Sequence, residues 1–210
     1  MSALALVLAH SPIMLDVAGH GFVISHVHAD SSCFTAGTLV AMADGTKKPI
    51  EAIRPGDRVL GQDGRVNRVR AVERVMLGER RLYGFNGETP FVTAEHPFMT
   101  LEGWCAIDPA MTHVENAALE VGRLQVGSAV LLKMRQPGVM GNLALAVEPA
   151  LVEVQLVSLD EVAADPMTPL FNLLLDGDHS YFANDYLVHN KGGDGGGDGG
   201  GDGGGGGGGG

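Results

Sequence analysis

The stretch "CFTAGTLVAMADGTKKPIEAIRPGDRVL", residues 33–60, decides the fold class. Its apolar runs are short, and Asp44-Gly45 and Pro55-Gly56-Asp57 interrupt them with residues typical of tight turns. The segment from Gly37 to Ile50 therefore predicts a strand, a turn and a second extended piece. Short strands joined in this way are typical of a mainly β domain.

The segment that follows carries an ambiguous pattern. Val66, Val69, Val72 and Val75 recur every third residue, and this period alone favours a helix. Valine, however, is β-branched and stiff at its first side-chain torsion, which favours a strand. We predict a strand.

Further strands are predicted to the end of the patterned region, and helical propensity collects only at about residues 109–120. The predicted strand segments are "FVTAEHPFMT" (91–100), "VEVQLVSLDEV" (152–162) and "LFNLLLDGDHSYFANDYLVHN" (170–190), the last broken by the turns of a hairpin.

Composition and charge indicate the size of the domain and argue against some kinds of partner. A chain of 210 residues that is 45% hydrophobic suffices for one compact domain. With 14 Lys plus Arg against 25 Asp plus Glu, its net charge of −11 argues against nucleic acid or an anionic membrane as primary partner, and we expect a monomer. The apolar run at residues 3–9 is too short to span a bilayer and makes a poor secretory signal, so the localisation stays open.

Composition also changes at both ends of the patterned region. Half of the 32 glycines lie in residues 192–210, so we predict that the Gly/Asp tail, 191–210, is disordered. Residues 1–32 hold four of the eight histidines and no Lys or Arg, which marks them as a flanking segment. The domain is thus predicted to span 33–190.

The flanking segment contains one pattern that suggests a metal. His26, His28 and Asp30 have the H-x-H-x-D spacing of metallo-β-lactamase-like hydrolases, in which it supplies zinc ligands. Nothing downstream resembles such a hydrolase, so these residues are better explained as an exposed strand end. We expect no metal and no cofactor, and stoichiometric zinc would contradict this.

The predicted domain begins and ends with residues capable of acyl chemistry. Cys33 can attack the carbonyl of Ser32 to form a thioester, provided that an acid protonates the departing nitrogen. Thr93 and His96 are candidates to assist, the histidine as proton donor and the threonine hydroxyl as donor to the oxyanion. At the other end, the side-chain amide of Asn190 can attack its own backbone carbonyl.

The joint pattern resembles a known family. Residues 33–60 resemble the opening of Hint domains, the module shared by inteins, Hedgehog autoprocessing domains and bacterial intein-like domains; "TAEHPFMTLEGW" (93–104) is similar to their second motif, and 170–190 to their closing motifs. The succession of "EHPF", "GW" and "LEVG" resembles in particular the pretoxin type of Hint domain. The resemblance covers essentially all of 33–190.

The resemblance implies a mainly β, horseshoe-shaped fold with pseudo-twofold symmetry that brings the two ends of the domain together. It also implies the site residues: Cys33 as first nucleophile, Thr93 and His96 as the pair that assists the acyl shift, His179 as a helper of carboxy-terminal cleavage, His189 as the penultimate histidine, and Asn190 as the asparagine that cyclises.

Two departures from the family pattern change the expected outcome. Asn172 stands where many inteins carry an aspartate, so any acid or base role at that position is lost. Lys191 stands where splicing needs cysteine, serine or threonine. We therefore expect single-turnover cleavage at the borders, with the chain's own flanking segments as substrate and little or no splicing. The alternative is a catalytically inactive spacer with the same fold.

The second cysteine leaves one further alternative open. A disulfide between Cys33 and Cys105 would mask the nucleophile, whereas Cys105 beside Trp104 is otherwise explained as core filler.

Overall fold

A computed structural model describes residues 32–135 and 151–190, and most of their regular structure is β-strand. In chain order the elements are β1 Phe34–Thr35, β2 Leu39–Ala41, β3 Lys47–Pro49, β4 Arg58–Leu60, β5 Val66–Met76, β6 Leu82–Phe85, β7 Phe98–Thr100, β8 Gly103–Ala106, α1 Pro109–Glu115, β9 Gly122–Arg123, β10 Val130–Met134, β11 Leu151–Gln155, β12 Leu159–Val162, β13 Pro169–Leu175, β14 Ser180–Ala183 and β15 Tyr186–His189. Short 3-10 turns lie at Ile50–Ala52 and Gln62–Gly64. The predicted mainly β class is confirmed.

The valine-rich segment is a strand, as predicted. Strand β5 runs through all four valines because it is hydrogen-bonded on both edges, to β13 and to β4. The predicted helix is also present, but it ends at Glu115. It begins after Asp108, whose side chain accepts from the backbone N–H groups of Ala110 and Met111 at 3.2 and 3.4 Å, a normal N-terminal cap.

The strand predicted over residues 91–100 is wrong in its first half. Val92 forms only isolated bridges, and the next residues make a turn in which the His96 N–H donates to the Thr93 carbonyl at 3.4 Å. Strand β7 begins only after Pro97, which has no N–H to give to a sheet. The turn leaves Thr93 and His96 at the two ends of one tight loop.

The strand β13 is central to one sheet, whose order is β1-β13-β5-β4. On one edge Phe171 of β13 pairs with Phe34 of β1, and on the other edge Asn172 pairs with Glu73 of β5. Consecutive residues of β13 are buried, so both faces of the strand are covered, which explains why it is almost wholly apolar. A late segment of the chain thus lies beside its first strand.

The second large sheet holds the hairpin of β14 and β15, which was predicted from the sequence. Asn184 and Asp185 between these strands have φ values of 46° and 69°, the left-handed backbone that a two-residue type I′ hairpin turn requires. The hairpin brings the end of β15 to the loop before β7, where the His189 N–H donates to the Pro97 carbonyl at 3.2 Å.

A single buried cluster connects the two large sheets. It contains Phe34 of β1, Phe98 of β7 and Tyr186 of β15, none of them more than 1% exposed. Phe98 and Tyr186 meet edge to face with ring centroids 5.8 Å apart, a favourable aromatic geometry. This core fixes β1, β7 and β15 against one another. No helix in the two described ranges is long and apolar enough to cross a membrane.

Candidate active site

The backbone of Cys33 is held by Thr93. The Cys33 N–H donates to Thr93 Oγ1 at 3.0 Å, the Thr93 hydroxyl donates to the Cys33 carbonyl at 3.3 Å, and the Thr93 N–H donates to the same carbonyl at 3.1 Å. Both residues are fully buried. The hydroxyl therefore contacts the nitrogen that would depart from the Ser32–Cys33 bond. The predicted oxyanion contact to the Ser32 carbonyl is not among its hydrogen bonds with the described residues.

His96 is a buried and neutral imidazole. Its ring packs on Phe34 with centroids 4.2 Å apart, and its side chain has no exposed surface. Burial, followed by the effect of nearby His189, lowers the pKa of His96 to about 3, against a small opposing effect of the Ser32 backbone. Neither ring nitrogen makes a hydrogen bond of normal geometry within residues 32–135 and 151–190. At neutral pH the ring is therefore unprotonated, and the low pKa makes it a weak base.

The burial of His96 predicts that the folded protein becomes less stable in acid. Because the folded-state pKa of His96 lies below the value of an exposed histidine, only the unfolded chain takes up this proton between about pH 6.5 and 3, and the free energy of unfolding falls as the pH falls through that window. Between pH 7 and pH 5 we expect this one group to lower the free energy of unfolding by about 2 kcal/mol. Urea denaturation at pH 7 and pH 5 measures this decrease in the free energy of unfolding. The decrease should be about 2 kcal/mol smaller in His96→Gln than in the wild type. Equal decreases in both proteins would contradict the prediction.

The thiol of Cys33 is protonated at rest. Burial raises its pKa well above the ordinary value; Arg80 lowers it, and the carboxylates of Glu95, Glu115 and Glu73 raise it. A thiol in these surroundings is a weak nucleophile until a base removes its proton.

At the other border, Asn190 is 1% exposed and donates two hydrogen bonds. Its N–H donates to the His179 carbonyl at 2.8 Å, and its side-chain Nδ2 donates to the Leu173 carbonyl at 2.9 Å. Its side-chain oxygen has no hydrogen-bond partner among the described residues. The carboxamide nitrogen is therefore held by β13.

His189 contacts the carbonyl that Asn190 would attack. Its Nδ1 lies 2.6 Å from the Asn190 carbonyl oxygen, and because a carbonyl only accepts, Nδ1 carries the proton in this contact. Burial lowers the pKa of His189, the Asn190 carbonyl raises it and His179 lowers it. A hydrogen bond from Nδ1 withdraws electrons from the carbonyl and stabilises the oxyanion that forms on attack.

Two aromatic rings flank His189. Trp104 meets it edge to face with centroids 5.1 Å apart, and the ring of His179 lies at 6.0 Å. His179 has a φ of 59°, an uncommon backbone for a residue other than glycine, and its contact with Asn190 runs through its backbone carbonyl. Its buried Nδ1 has no hydrogen bond to any residue that the structure describes. The predicted helper histidine thus lies beside the site but does not bond to Asn190 through its ring.

The two borders meet on β13. Phe34, one residue after Cys33, pairs with Phe171, while the Asn190 side chain bonds to Leu173, two residues further on and about 7 Å along the strand. Extending the register of β1 by one residue places Cys33 opposite Asn172. The fold brings the first and last residues of the predicted domain together, as the resemblance implied.

Between the borders, Asn172 is fully buried. Its Oδ1 accepts from the Leu173 N–H at 2.9 Å, while its Nδ2 and the Oε2 of Glu73, its partner in the β13–β5 register, have no hydrogen-bond partner within the described part of the chain. The site therefore keeps a carboxylate on the strand next to the position where the family pattern has an aspartate.

The structure also bears on the alternatives of a disulfide and a metal site, whereas the two flanking segments, apart from Ser32, lie outside the described residues. Cys33 and Cys105 are both free and buried, so the alternative of a disulfide is wrong. No group of metal-binding side chains occurs within 32–135 or 151–190, whereas His26, His28 and Asp30 lie outside these ranges. Lys191, the 191–210 tail and residues 1–31 also lie outside them, and the domain boundaries stay predictions.

Comparison with solved structures defines the class of fold. The DnaB intein from Synechocystis sp. PCC 6803 is similar with a TM-score of 0.53 and 20% identity, over 76% of this chain and 99% of the intein. A bacterial intein-like domain from Clostridium thermocellum is similar with a TM-score of 0.51 and 25% identity, over 75% and 98%. The fold is that of inteins and intein-like domains.

Comparison of sequences gives the family. Residues 33–101 match the family model described as Hom_end-associated Hint. Together with the fold, this match shows that the chain carries a domain of the Hint family, which in general terms is a self-processing domain. The narrower resemblance to the pretoxin type stays a prediction.

Two curated proteins share shorter segments. An iron-sulfur cluster assembly SufBD family protein of Mycobacterium bovis is 46% identical over 82 residues, which is 37% of this chain and 10% of that protein. The catalytic subunit of a V-type proton ATPase from Candida tropicalis is 62% identical over 32 residues, 15% of this chain and 3% of that protein. The matches thus span a tenth or less of these relatives.

Proposed function

We propose that residues 33–190 cut their own backbone at both borders, by a thioester at Cys33 and by cyclisation of Asn190. The observation that carries this proposal is the position of both borders on β13, where Cys33 and Asn190 are buried and His189 contacts the Asn190 carbonyl. Buried polar atoms without a hydrogen bond, such as both ring nitrogens of His96 and the side-chain oxygen of Asn190, are more typical of a reaction site than of a structural core.

At the amino border, Cys33 Sγ gives its proton to His96 and attacks the Ser32 carbonyl carbon. The bond between Ser32 and the Cys33 nitrogen breaks, His96 returns the proton to that nitrogen, and the acyl group is left on sulfur. His96 is unprotonated at pH 7 and so has a ring nitrogen free to take the proton, and because burial lowers its pKa, its protonated form is a strong acid that readily returns that proton to the departing nitrogen. Thr93 keeps the backbone of Cys33 in place throughout.

At the carboxyl border, Asn190 Nδ2 attacks the carbonyl carbon of the same residue. The bond to Lys191 breaks, a succinimide forms, and the proton lost from Nδ2 is matched by one gained on the departing amine. The contact of His189 Nδ1 with the carbonyl oxygen supports its role as the hydrogen-bond donor to the oxyanion.

Cleavage outweighs splicing in this proposal because Lys191 offers no side-chain nucleophile comparable to a thiol or hydroxyl. Its side-chain amine is almost entirely protonated at pH 7, and its α-amine, once released, is roughly one-tenth free base. Aminolysis of the thioester by that α-amine therefore gives at most a minor spliced product.

Intact mass spectrometry of the purified chain over hours, with and without dithiothreitol or hydroxylamine, tests the proposal. We expect thiol-dependent release of residues 1–32 and slow loss of residues 191–210. The remaining domain should first be one water lighter than its hydrolysed form, since a succinimide and not a free acid ends it. A folded chain that stays intact under all conditions would refute self-cleavage and support the inactive spacer.

A further inference from the structure

The residue before Cys33 is held by a side chain from a distant helix. The Ser32 N–H donates to Glu115 Oε2 at 3.0 Å, across 83 positions of sequence, and Ser32 is 2% exposed. The contact is made to the backbone of Ser32. It is independent of the kind of side chain at position 32.

Helix α1 holds Glu115 in a fixed position relative to the loop that carries Thr93 and His96. It is the last residue of α1, and Thr112 on the same helix donates through its hydroxyl to the Glu95 carbonyl at 2.6 Å. Glu95 lies between Thr93 and His96, and its side chain pairs with Arg80 at 3.1 Å. Helix α1 thus connects the carboxylate of Glu115 to the loop that carries Thr93 and His96.

We propose that Glu115 is a positioning residue that, with Thr93, holds the two sides of the Ser32–Cys33 peptide bond. Glu115 fixes the N–H of Ser32 and Thr93 fixes the backbone of Cys33, so the carbonyl carbon between them is immobilised for attack by sulfur. Such fixing raises the rate because the reacting atoms start close to the geometry of attack. This inference rests on the proposed function of the amino border.

The specificity at position 32 follows from the same contact. A backbone N–H is present in every residue except proline, and the buried position favours a small side chain. Ser32→Pro, which lacks the N–H, should therefore lose most of the release of residues 1–32.

The test compares both borders in the same mass spectra of the full chain. We expect Glu115→Ala to slow dithiothreitol-dependent release of residues 1–32 about tenfold to a hundredfold, the usual effect of losing a hydrogen bond to a charged group. Loss of residues 191–210 should be unchanged. Glu115→Gln, which keeps an acceptor oxygen, should restore most of the rate. Glu120→Ala removes an exposed carboxylate just beyond α1 and is the matched control.

Several results would overturn the inference. Normal amino-border release in Glu115→Ala would do so, as would equal slowing at both borders in a folded protein. If Glu115→Ala does not fold, normal release in Ser32→Pro has the same meaning. If the wild-type chain shows no cleavage, the proposed function fails separately. The contact is then tested in the intact chain by hydrogen exchange of the Ser32 amide, which Glu115→Ala must accelerate.

Discussion

Replacement of Asn190 with alanine is expected to stop the loss of residues 191–210 completely. Alanine has no carboxamide to attack the backbone carbonyl, and no other described side chain donates to the Leu173 carbonyl in its place. Release of residues 1–32 by dithiothreitol should continue, because its chemistry is on the Cys33 side. Intact mass spectrometry over hours reports both events in one sample.

The control for this prediction is Asn184→Gly. It removes a carboxamide from the neighbouring β14–β15 turn and keeps a residue that accepts the φ of 46° at that position. The control should shed the tail at close to the wild-type rate. If Asn190→Ala sheds the tail as fast as the wild type, an external protease and not cyclisation removes it.

Replacement of Cys33 with alanine is expected to remove all thiol-dependent release of residues 1–32. Without sulfur no thioester forms, and neither dithiothreitol nor hydroxylamine has an activated acyl group to attack. The tail should still be lost, because the contacts of Asn190 with His179, His189 and Leu173 do not involve Cys33.

The second cysteine supplies the matched control. Cys105 is as free and nearly as buried as Cys33, with its sulfur 3.6 Å from Thr100 Oγ1. Cys105→Ala removes a buried thiol of the same size and should leave both cleavages intact. Release of residues 1–32 from Cys33→Ala, or its loss from Cys105→Ala in a folded protein, would contradict the assignment of the nucleophile.

The fold class was predictable because local signals agreed with one another. The D-G and P-G-D turns mark the short strands, and the valines of β5 fit a strand that is paired on both edges. The first half of the segment 91–100 misled because its apolar residues resemble a strand, whereas the loop that leads to Pro97 pairs only at isolated bridges.

The sequence motifs single out the candidate reactive residues, but they give little sign of the residues that hold them in place. Glu115, Leu173 and Trp104 contact the border residues but were missed as site residues. The Ser32–Glu115 bond joins positions 83 apart, and the bond from Asn190 ends on a backbone carbonyl, which leaves no trace in residue type. Thr93 was identified, but only the folded chain reveals that it contacts the departing nitrogen.

The pairing of β1 with β13 also sets the earliest moment at which the proposed reaction could occur during biosynthesis. Thr35 and Leu170 face each other across that ladder. The amino border therefore cannot fold until the ribosome has made almost the whole domain. In the proposed reaction, residues 1–32 therefore stay covalently attached until the synthesis of the domain is nearly complete.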